Sequence, residues 1–372
     1  MPDALLDCLA AALRGLPGSS RTIDDPQRFL ALAAEHRVRP LLAWRLRETG
    51  EFAAWPDAIR HALVENERAE AAIEIVRRRA LARLLRACES ANLPLLLFKG
   101  TALAYDIYPE PWLRPREDTD LLVRPTDALR ARDLLSSLGW QPIERPSGRV
   151  VSHQQLFVRP ETRGTLDAYD LHWKIANPAP FADLLSTDDL LRDARQIIID
   201  GVRARVPSHA HGLLLACWHR VSHHYDIGEL RWLYDLHLLA TAASADDLDR
   251  VLTIARATHT GGVCVRGLNL ASDYFGTSLP PAFLNALEST VPETSRSVSA
   301  YMQPHATRAE LLAADLSALT GSSARLHLLR EHLFPSAEYM FATYGGSSRL
   351  LLPAWYLRRI VSGAFRWFRR IR

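Results

Sequence analysis

Apolar residues recur at helical spacing through the first part of the chain. The segments LLDCLAAALRGL and PQRFLALAAEHR and residues 40–47 each predict a short amphipathic helix. A much longer helix is predicted over residues 56–91, because apolar side chains such as Ile59 and Leu63 return every three or four positions. We therefore predict an N-terminal helical region over residues 1–92.

The pattern changes over residues 93–177, where short apolar runs alternate with helical segments. Helices are predicted to begin at Thr101 and at Pro125, and Gly139 supplies a stop for the second. The predicted strands are LPLLLF, TDLLV, QPIER, HQQLFVR and TLDAYDLHWKI, with a turn at Ser147-Gly148. This alternation predicts a compact sheet with helices, in which ligands tend to bind at the ends of strands.

Helical periodicity returns over residues 178–345, which we predict to be a C-terminal helical region. Within it, IIIDGVRARVP predicts a strand, a turn and a second strand. Helices are predicted over residues 183–195, 211–243 and 245–258 and in SSARLHLLREHLF, and a hinge is predicted at 345–348.

The last predicted segment is a basic amphipathic tail over residues 346–372. From Arg349 onward it has seven arginines and no acidic residue, and aromatic residues stand between the arginines. A helix of this composition can lie on an anionic membrane surface, bind an acidic partner, or pack its aromatic rings on the protein. The sequence leaves these three interpretations open.

Composition limits the class of protein more than it indicates a function. The chain has 372 residues, of which 48% are hydrophobic and 23% charged, enough for two or three domains with a sizeable core. Its net charge of +3 indicates no polyanionic partner.

The four cysteines stand far apart without metal-ligand spacing, which predicts buried free thiols in a reducing compartment. Without a secretory signal or an apolar run of about 18 to 20 residues, the sequence predicts a cytoplasmic protein, peripheral to the membrane if its tail binds there.

Two aspartates, Asp118 and Asp120, stand directly before an apolar run, and on a strand they would project from the same side. Carboxylates held this close repel each other, and a cation between them relieves the repulsion. Mg²⁺ prefers such oxygen ligands together with substrate phosphates. A third carboxylate from another strand would complete a two-metal site, for which Asp170 is the candidate and Asp167 the alternative. We therefore predict two Mg²⁺ ions, with Mn²⁺ as a substitute.

Of the 45 basic side chains only two are lysines, Lys99 and Lys174, and both lie beside the candidate chemistry. An ammonium is a compact point charge and a guanidinium is a wide planar fork, so a local demand for lysine is indicated. At Lys99-Gly100 a turn precedes a predicted helix, whose first backbone N–H groups favour an anion such as a triphosphate. Alternatively, Lys99 only packs its apolar stem at a strand end with its ammonium in water, and Lys174 only pairs with a carboxylate.

Two arginines, Arg114 and Arg116, precede the aspartate pair. We predict that Lys99 and Arg116 pair with the phosphates of a nucleotide, with Arg114 as the weaker choice. The alternative is that the arginines bind Asp118 and Asp120 on a solvated edge, or that the aspartates cap a turn.

These residues together resemble the DNA polymerase β-like nucleotidyltransferase superfamily and, more closely, the bacterial uncharacterised nucleotidyltransferase family. The resemblance depends on Lys99-Gly100, on an arginine shortly before D-T-D-L-L-V at 118–123, and on D-L-H-W at 170–173. It continues weakly into LLLACWHRVSHH and LRWLYDLHLLA, so it covers most of the chain. The chain differs from the wider superfamily in two respects, because K-G-T replaces the usual G-G or G-S and the gap to the first aspartate is longer.

The resemblance implies an α+β fold, in which a mixed sheet with helices forms a nucleotidyltransferase core between the N- and C-terminal helical regions. It also implies transfer of a nucleoside monophosphate from an NTP to an acceptor, with release of pyrophosphate. By this resemblance, Asp118 and Asp120 would hold the metals. Asp170 would bind one metal and help to activate the acceptor hydroxyl, and Gly100 and Thr101 would line the triphosphate.

The acceptor implied by the resemblance is a hydroxyl or phosphate of a small molecule, sugar, peptide or protein, bound by residues 178–345. No template nucleic acid is expected, since no nucleic-acid-binding module accompanies the core. Two alternatives remain: a catalytically inactive descendant that binds a nucleotide or a partner, and a toxin-like enzyme that modifies tRNA or protein.

Six further residues are candidates for acceptor contact or for support of the site: His172, Lys174, His219, His223, Arg231 and Asp235. The spacing of His219 and His223 places both on one helix face and can ligate zinc, but the glutamate of the zinc motif is missing, and packing is the alternative. His172 is alternatively an ordinary core histidine. Arg231 and Asp235 would contact a base or the acceptor, or alternatively form a surface charge pair.

Overall fold

The computed structural model describes residues 4–18, 23–143, 151–159, 168–345 and 348–367. Its N-terminal part is helical, as the periodicity predicts, and consists of α1 (Ala4–Arg14), α2 (Pro26–Glu35), α3 (Arg39–Glu48) and α4 (Asp57–Ser90). Helix α4 runs for 34 residues, and its sequence has neither glycine nor proline to interrupt it. The start of α2 is fixed by Asp25, whose carboxylate accepts the backbone N–H groups of Gln27 and Arg28.

A mixed sheet follows, confirming the α+β class. Its five strands are β1 (Leu96–Leu97), β2 (Thr119–Leu122), β3 (Gln141–Pro142), β4 (Gln154–Val158) and β5 (Ala168–His172). The strand order is β1-β2-β5-β4-β3. Strands β2 and β5 are parallel, and the other neighbouring pairs are antiparallel. Two helices lie between strands in the sequence, α5 (Lys99–Asp106) before β2 and α6 (Ala128–Ser137) before β3.

The sheet separates two apolar cores, because side chains alternate along its strands. Leu97, Leu121 and Leu171 belong to the smaller core, together with residues of α4 and α6. Leu96 and Leu122 project the other way, into a larger core that is formed mostly by the helices before and after the sheet. Residues that alternate with Leu121 and Leu171 therefore face the larger, helical core.

The C-terminal part begins with two short helices and a hairpin, and continues as a run of helices. The short helices are α7 (Ala179–Ala182) and α8 (Thr187–Arg192), and the hairpin is formed by β6 (Arg195–Ile199) and β7 (Val202–Val206). The helices that follow are α9 (His209–Ser222), α10 (Leu230–Ala242), α11 (Ala245–Ala257), α12 (Gly261–Phe275), α13 (Pro281–Glu288), α14 (Arg296–Ala300), α15 (Arg308–Ala318), α16 (Ser322–Leu333), α17 (Ala337–Tyr344) and α18 (Leu352–Trp367).

The predicted hairpin is confirmed, but the helix predicted over residues 183–195 is wrong at both ends, since residues 183–186 are not helical and α8 begins at Thr187. Helix α8 stops at Arg192, and β6 begins at Arg195. The three consecutive isoleucines of β6 favour a strand, which outweighs the helical pattern. Asp200 and Gly201 turn the chain with φ angles of 49° and 75°, as a tight hairpin requires.

The single helix predicted over residues 211–243 is also wrong, because the structure has two helices, α9 and α10, with a turn between them. Tyr225 and Asp226 have φ angles of 50° and 64°, which no α-helix contains. The carboxylate of Asp226 accepts hydrogen bonds from Arg220 and Arg266, which fix the turn. A hydrophobic pattern does not reveal such an interruption.

Several predictions fall partly outside the described residues. QPIER pairs at Gln141–Pro142, and its last two residues lie outside the described range. LPLLLF lies inside the described residues but is shorter than predicted, since only Leu96–Leu97 pair with β2. The turn at Ser147-Gly148 and residues 346–347 of the hinge lie outside the described ranges. The domain boundaries at 92, 177 and 345 stay predictions.

All four cysteines are buried and free, which confirms the predicted thiols. None of the helices in the described ranges has both the length and the apolar character needed to cross a membrane.

Candidate functional site

The candidate site lies where β2 and β5 run side by side. In their parallel register Asp120 stands opposite Asp170. Because Asp120 alternates with Leu121 and Asp170 with Leu171, both carboxylates face the helical core. They are buried, with exposed fractions of 7% and 5%. Asp118 lies one residue before β2 and is half-buried.

A lysine and a histidine bridge these carboxylates. The Nζ atom of Lys99 lies 3.3 Å from Oδ1 of Asp120 and 3.3 Å from Nε2 of His172. The same Nε2 atom lies 3.2 Å from Oδ1 of Asp120 and 3.3 Å from Oδ2 of Asp170. The ring of Phe98 meets the His172 ring edge-on, with centroids 4.9 Å apart, which helps to orient the imidazole. His172 is therefore part of the acidic cluster and not an isolated core histidine.

Burial and the charges of neighbouring side chains set the pKa values in the cluster. Burial and the carboxylates of Asp120 and Asp170 raise the pKa of Asp118 to about 7. Burial also acts to raise the pKa of Asp120, but the Lys99 ammonium and the hydrogen bond from His172 outweigh it and lower that pKa. For His172, burial and Lys99 act to lower the pKa, whereas the two aspartates raise it by more, so the net shift is upward and favours the imidazolium.

The cluster fits a divalent cation, and His172 would lose its extra ring proton when the cation binds, because only a neutral imidazole is a metal ligand. One oxygen of Asp120, one oxygen of Asp170 and one ring nitrogen of His172 lie within 4.8 Å of one another, the one group of three potential metal ligands in the described ranges. Carboxylate oxygens suit Mg²⁺ or Mn²⁺. The negative charges of Asp120 and Asp170, which together with burial raise the pKa of Asp118, would be stabilised by a cation. Asp118 does not belong to that group of three, and Asp167 lies outside the described residues, so their predicted metal contacts stay predictions.

Two amides that the sequence analysis missed orient Asp170. Nε2 of Gln154 on β4 donates to Oδ2 of Asp170 over 2.8 Å. Nδ2 of Asn177 donates to Oε1 of Gln154 over 3.0 Å, and the backbone N–H of His153 donates to Oδ1 of Asn177 over 2.7 Å. Gln154 is the second residue of the predicted strand HQQLFVR and the first of β4, but its partner depends on the register between β4 and β5, which no motif reveals.

Arg114 is held by a buried carboxylate from α10. Its Nε and Nη2 atoms donate to the two oxygens of Asp235 over 2.7 and 2.6 Å. The hydroxyl of Tyr108 donates to the same carboxylate over 2.8 Å. Arg114 is 5% exposed and Asp235 is 2% exposed, so the pair is buried and does not lie at the surface. The predicted contacts of Arg114 with phosphate and of Asp235 with an acceptor stay predictions.

Arg116 is held in the same way by α4. Its Nη1 atom lies 2.9 Å from Oε2 of Glu74, and its Nη2 atom donates to Oε1 over 3.1 Å. Its guanidinium also lies over the ring of Tyr105, 5.1 Å from the centroid. Glu74 was missed because it is one of many charged residues on a long helix. A phosphate contact of Arg116 likewise stays a prediction.

Arg231 fixes the residue between these two arginines. Its Nη1 atom donates to the carbonyl oxygen of Pro115 over 2.6 Å, and its Nη2 atom lies 2.7 Å from Oε1 of Glu229. Residues 114–116 are therefore attached to both helical regions just before the chain reaches Asp118. In this structure Arg231 supports that loop, and its predicted contact with a base or acceptor stays a prediction.

Gly100 and Thr101 lie in the first turn of α5. Lys99, the first residue of this helix, has a φ angle of 50°, and the hydroxyl of Thr101 accepts the backbone N–H of Asp120 over 3.2 Å. Thr101 has no exposed surface, so here it connects α5 to β2, and its predicted contact with a triphosphate stays a prediction. Gly100 faces the guanidinium of Arg114, which occupies the space that a Cβ atom would need.

Gly100→Ala is therefore expected to destabilise the protein by about 1 to 3 kcal/mol, as overpacking does. Helix propensity alone would give the opposite sign, a stabilisation of up to about 1 kcal/mol. Urea unfolding of the two proteins measures the difference. Gly228→Ala is the control, since a Cβ atom there meets nothing within 4 Å. Equal or greater stability of Gly100→Ala would contradict the close approach of Arg114.

The histidines at the end of α9 form a second, half-buried group. The rings of His219 and His223 lie 4.9 Å apart, and Nε2 of His219 lies 3.1 Å from Nε2 of His224, whose ring stacks on Trp232. Burial and the Lys99 ammonium lower the pKa of His219 and His223, which favours the neutral imidazoles. Neither histidine belongs to a group of three potential metal ligands among the described residues. Ring packing is what the structure shows for these histidines, and their predicted acceptor contact stays a prediction.

Lys174 lies away from the acidic cluster. Its Nζ atom lies 2.8 Å from Oδ2 of Asp183, and the two side chains are 29% and 75% exposed. This agrees with the alternative interpretation, in which Lys174 only pairs with a carboxylate. The role predicted for Lys174 in acceptor contact or in support of the site stays a prediction.

Comparison with known protein families gives one result. Residues 23–276 match the model of a family described as "Uncharacterised nucleotidyltransferase". The match covers more than half of the chain and includes the acidic cluster, the loop of residues 114–116 and the histidines of α9. No curated protein matches the chain.

Proposed function

The chain belongs to the uncharacterised nucleotidyltransferase family, and we propose that it transfers a nucleoside monophosphate from an NTP to an acceptor. The acceptor group would be a hydroxyl or phosphate of a small molecule, sugar, peptide or protein. The main support is the register that places Asp120 beside Asp170 in a buried cluster with Lys99 and His172. We further propose that the core belongs to the polymerase β-like superfamily.

In this proposal Asp120 and Asp170, with Asp118 and His172 next to them, would hold two Mg²⁺ ions, or Mn²⁺ as a substitute. The bound ions would supply charge stabilisation to the triphosphate and the reacting oxygens. The acceptor oxygen forms a bond to the α-phosphorus, the bond to the β-phosphate bridge breaks, and pyrophosphate leaves. Asp170 would take the proton of the acceptor hydroxyl.

The protein side chains have two further roles in the proposal. The Lys99 ammonium already lies in the acidic cluster and would move its charge toward a phosphate once metal ions neutralise Asp120. Gln154 and Asn177 would keep the Asp170 carboxylate oriented, so that only one of its oxygens turns toward the acceptor.

The test is transfer of label from α-labelled NTPs, with Mg²⁺, to separate metabolite, protein and RNA fractions. Label on a metabolite or protein, together with released pyrophosphate, supports the proposal. Label on RNA instead supports the toxin-like alternative. An NTP-dependent rise in melting temperature without transfer to any fraction supports an inactive nucleotide-binding descendant. Loss of transfer when EDTA removes the divalent cations is expected in the first two cases.

Lys99→Arg is expected to lower kcat/KM for the NTP by at least about tenfold, or about 1.4 kcal/mol. The Lys99 side chain is 7% exposed, and its nitrogen lies 3.3 Å from both Asp120 and His172, so a wider guanidinium would have to displace one of them. Lys174→Arg is the matched control, because that lysine forms an exposed pair. Steady-state kinetics with varied NTP measures both variants, and equal values for Lys99→Arg and the wild type would exclude the special role of this lysine.

A further inference from the structure

The outer side of α18 carries large apolar side chains in contact with solvent. Leu357 is 64% exposed, Val361 is 57% exposed, and Ile360 is 37% exposed. Leu350, in the short 3-10 turn Arg349–Leu351 directly before α18, is 90% exposed. Spacings of three and four residues place Leu357, Ile360 and Val361 on one face of α18. A soluble surface normally carries isolated apolar residues, so a continuous face of this kind needs an explanation.

The opposite face of α18 holds the helix on the protein. Trp355 packs against Phe341 and Tyr344, with ring centroids 5.9 and 6.3 Å apart. The hydroxyl of Tyr356 donates to the carbonyl oxygen of Pro335 over 2.7 Å. This packing uses Trp355 and Tyr356, and it leaves Leu357, Ile360 and Val361 turned outward.

The charge of this segment is one-sided. Residues 349–372 have seven arginines and no acidic residue. Arg349 and Arg358 are exposed close to the apolar face, and the Arg358 guanidinium lies over the ring of Tyr344, 5.5 Å from the centroid. Anionic lipid headgroups attract such arginines, and the acyl region next to them accepts apolar side chains. An acidic protein would pair with the arginines but would give the apolar side chains no partner.

We infer that α18 docks the protein on the surface of a membrane that contains anionic phospholipids. The helix lies parallel to the membrane, with Leu357, Ile360 and Val361 toward the acyl chains and the arginines at the headgroups, and the exposed Leu350 directly before the helix adds to the apolar contact. This inference does not depend on the proposed function. Helix α18 lies beyond residue 276, where the family match ends.

Sedimentation of the full chain with vesicles tests the inference. Phosphatidylcholine vesicles with phosphatidylglycerol are expected to bind the protein, and vesicles of phosphatidylcholine alone are not. Added salt should weaken the binding, because it screens the arginines. Equal binding to both kinds of vesicle, or to neither, overturns the inference.

A double variant separates the apolar face from the charge. Leu357→Gln with Val361→Gln is expected to weaken vesicle binding by at least about tenfold. Ile75→Gln with Val76→Gln is the matched control, since these residues of α4 are 45% and 59% exposed. The control should bind vesicles like the wild type, and both variants should keep the wild-type melting temperature.

Two outcomes would assign this face to another occupant and overturn the inference. One is a concentration-dependent dimer without vesicles that the α18 double variant abolishes, which would identify a second copy of the chain. The other is binding to polyglutamate as tight as to anionic vesicles and unaffected by the double variant, which would identify an acidic protein.

Discussion

Asp120→Asn is expected to lower kcat for nucleotidyl transfer by about a thousandfold or more, equivalent to about 4 kcal/mol of transition-state stabilisation. Asparagine keeps the shape of the side chain but removes the charge that faces Lys99 and His172. In the proposed reaction the same charge holds Mg²⁺, which binds neutral amides less well than carboxylates. Label transfer from α-labelled NTP, measured for both proteins at saturating NTP and Mg²⁺, gives the ratio.

The fold of Asp120→Asn should remain intact. The Lys99 ammonium loses a partner, but repulsion from the two neighbouring carboxylates disappears at the same time. Asp183→Asn is the control for the substitution itself, since its exposed pair with Lys174 contributes little to stability. Wild-type transfer by a well-folded Asp120→Asn protein would be incompatible with the proposed site.

Asp118 and Asp170 extend this comparison. Both are predicted ligands, yet only Asp170 lies with Asp120 in the group of three potential ligands. If Asp118→Asn reduces transfer as strongly as Asp170→Asn does, the interpretation of the D-x-D motif from the sequence is confirmed at both positions. A much weaker effect at Asp118 would make His172 the better candidate for the third ligand.

The sequence predicts the parts of the site that depend on local patterns. The alternation of apolar and acidic residues identifies β2 and β5, and it places Asp120 and Asp170 on buried strands before any coordinates are known. The 34 residues of α4 are predicted to within a residue or so at each end, since their periodicity is long and uninterrupted. The break between α9 and α10 is missed, because it depends on ion pairs of Asp226.

The partners of the site residues depend on distant contacts and are not predictable from local patterns. Arg114 was expected at a phosphate, but it pairs with Asp235, which is 121 positions further along the chain. Arg116 pairs with Glu74, 42 positions before it. An arginine near a D-x-D motif offers the same donors to a phosphate and to a carboxylate, so only the fold decides between them.

Asp235→Leu is expected to lower the free energy of unfolding by about 3 to 5 kcal/mol, because it leaves the Arg114 guanidinium buried without its counter-charge. The Tyr108 hydroxyl also loses its acceptor, which adds about 1 kcal/mol. Urea unfolding measures the loss. A change below about 0.5 kcal/mol, the usual range for surface substitutions, would contradict the buried pair.

The double variant Arg114→Met with Asp235→Leu decides what the pair is for. Removing both charges of a buried pair is often neutral or stabilising, so most of the lost stability should return. Transfer activity then separates two roles of Arg114. If the stable double variant transfers label normally, the pair only holds the loop that leads to Asp118. If it is stable but inactive, Arg114 exchanges its carboxylate for a phosphate during turnover, as the sequence predicts, and Asp235 keeps the arginine in place until the nucleotide arrives.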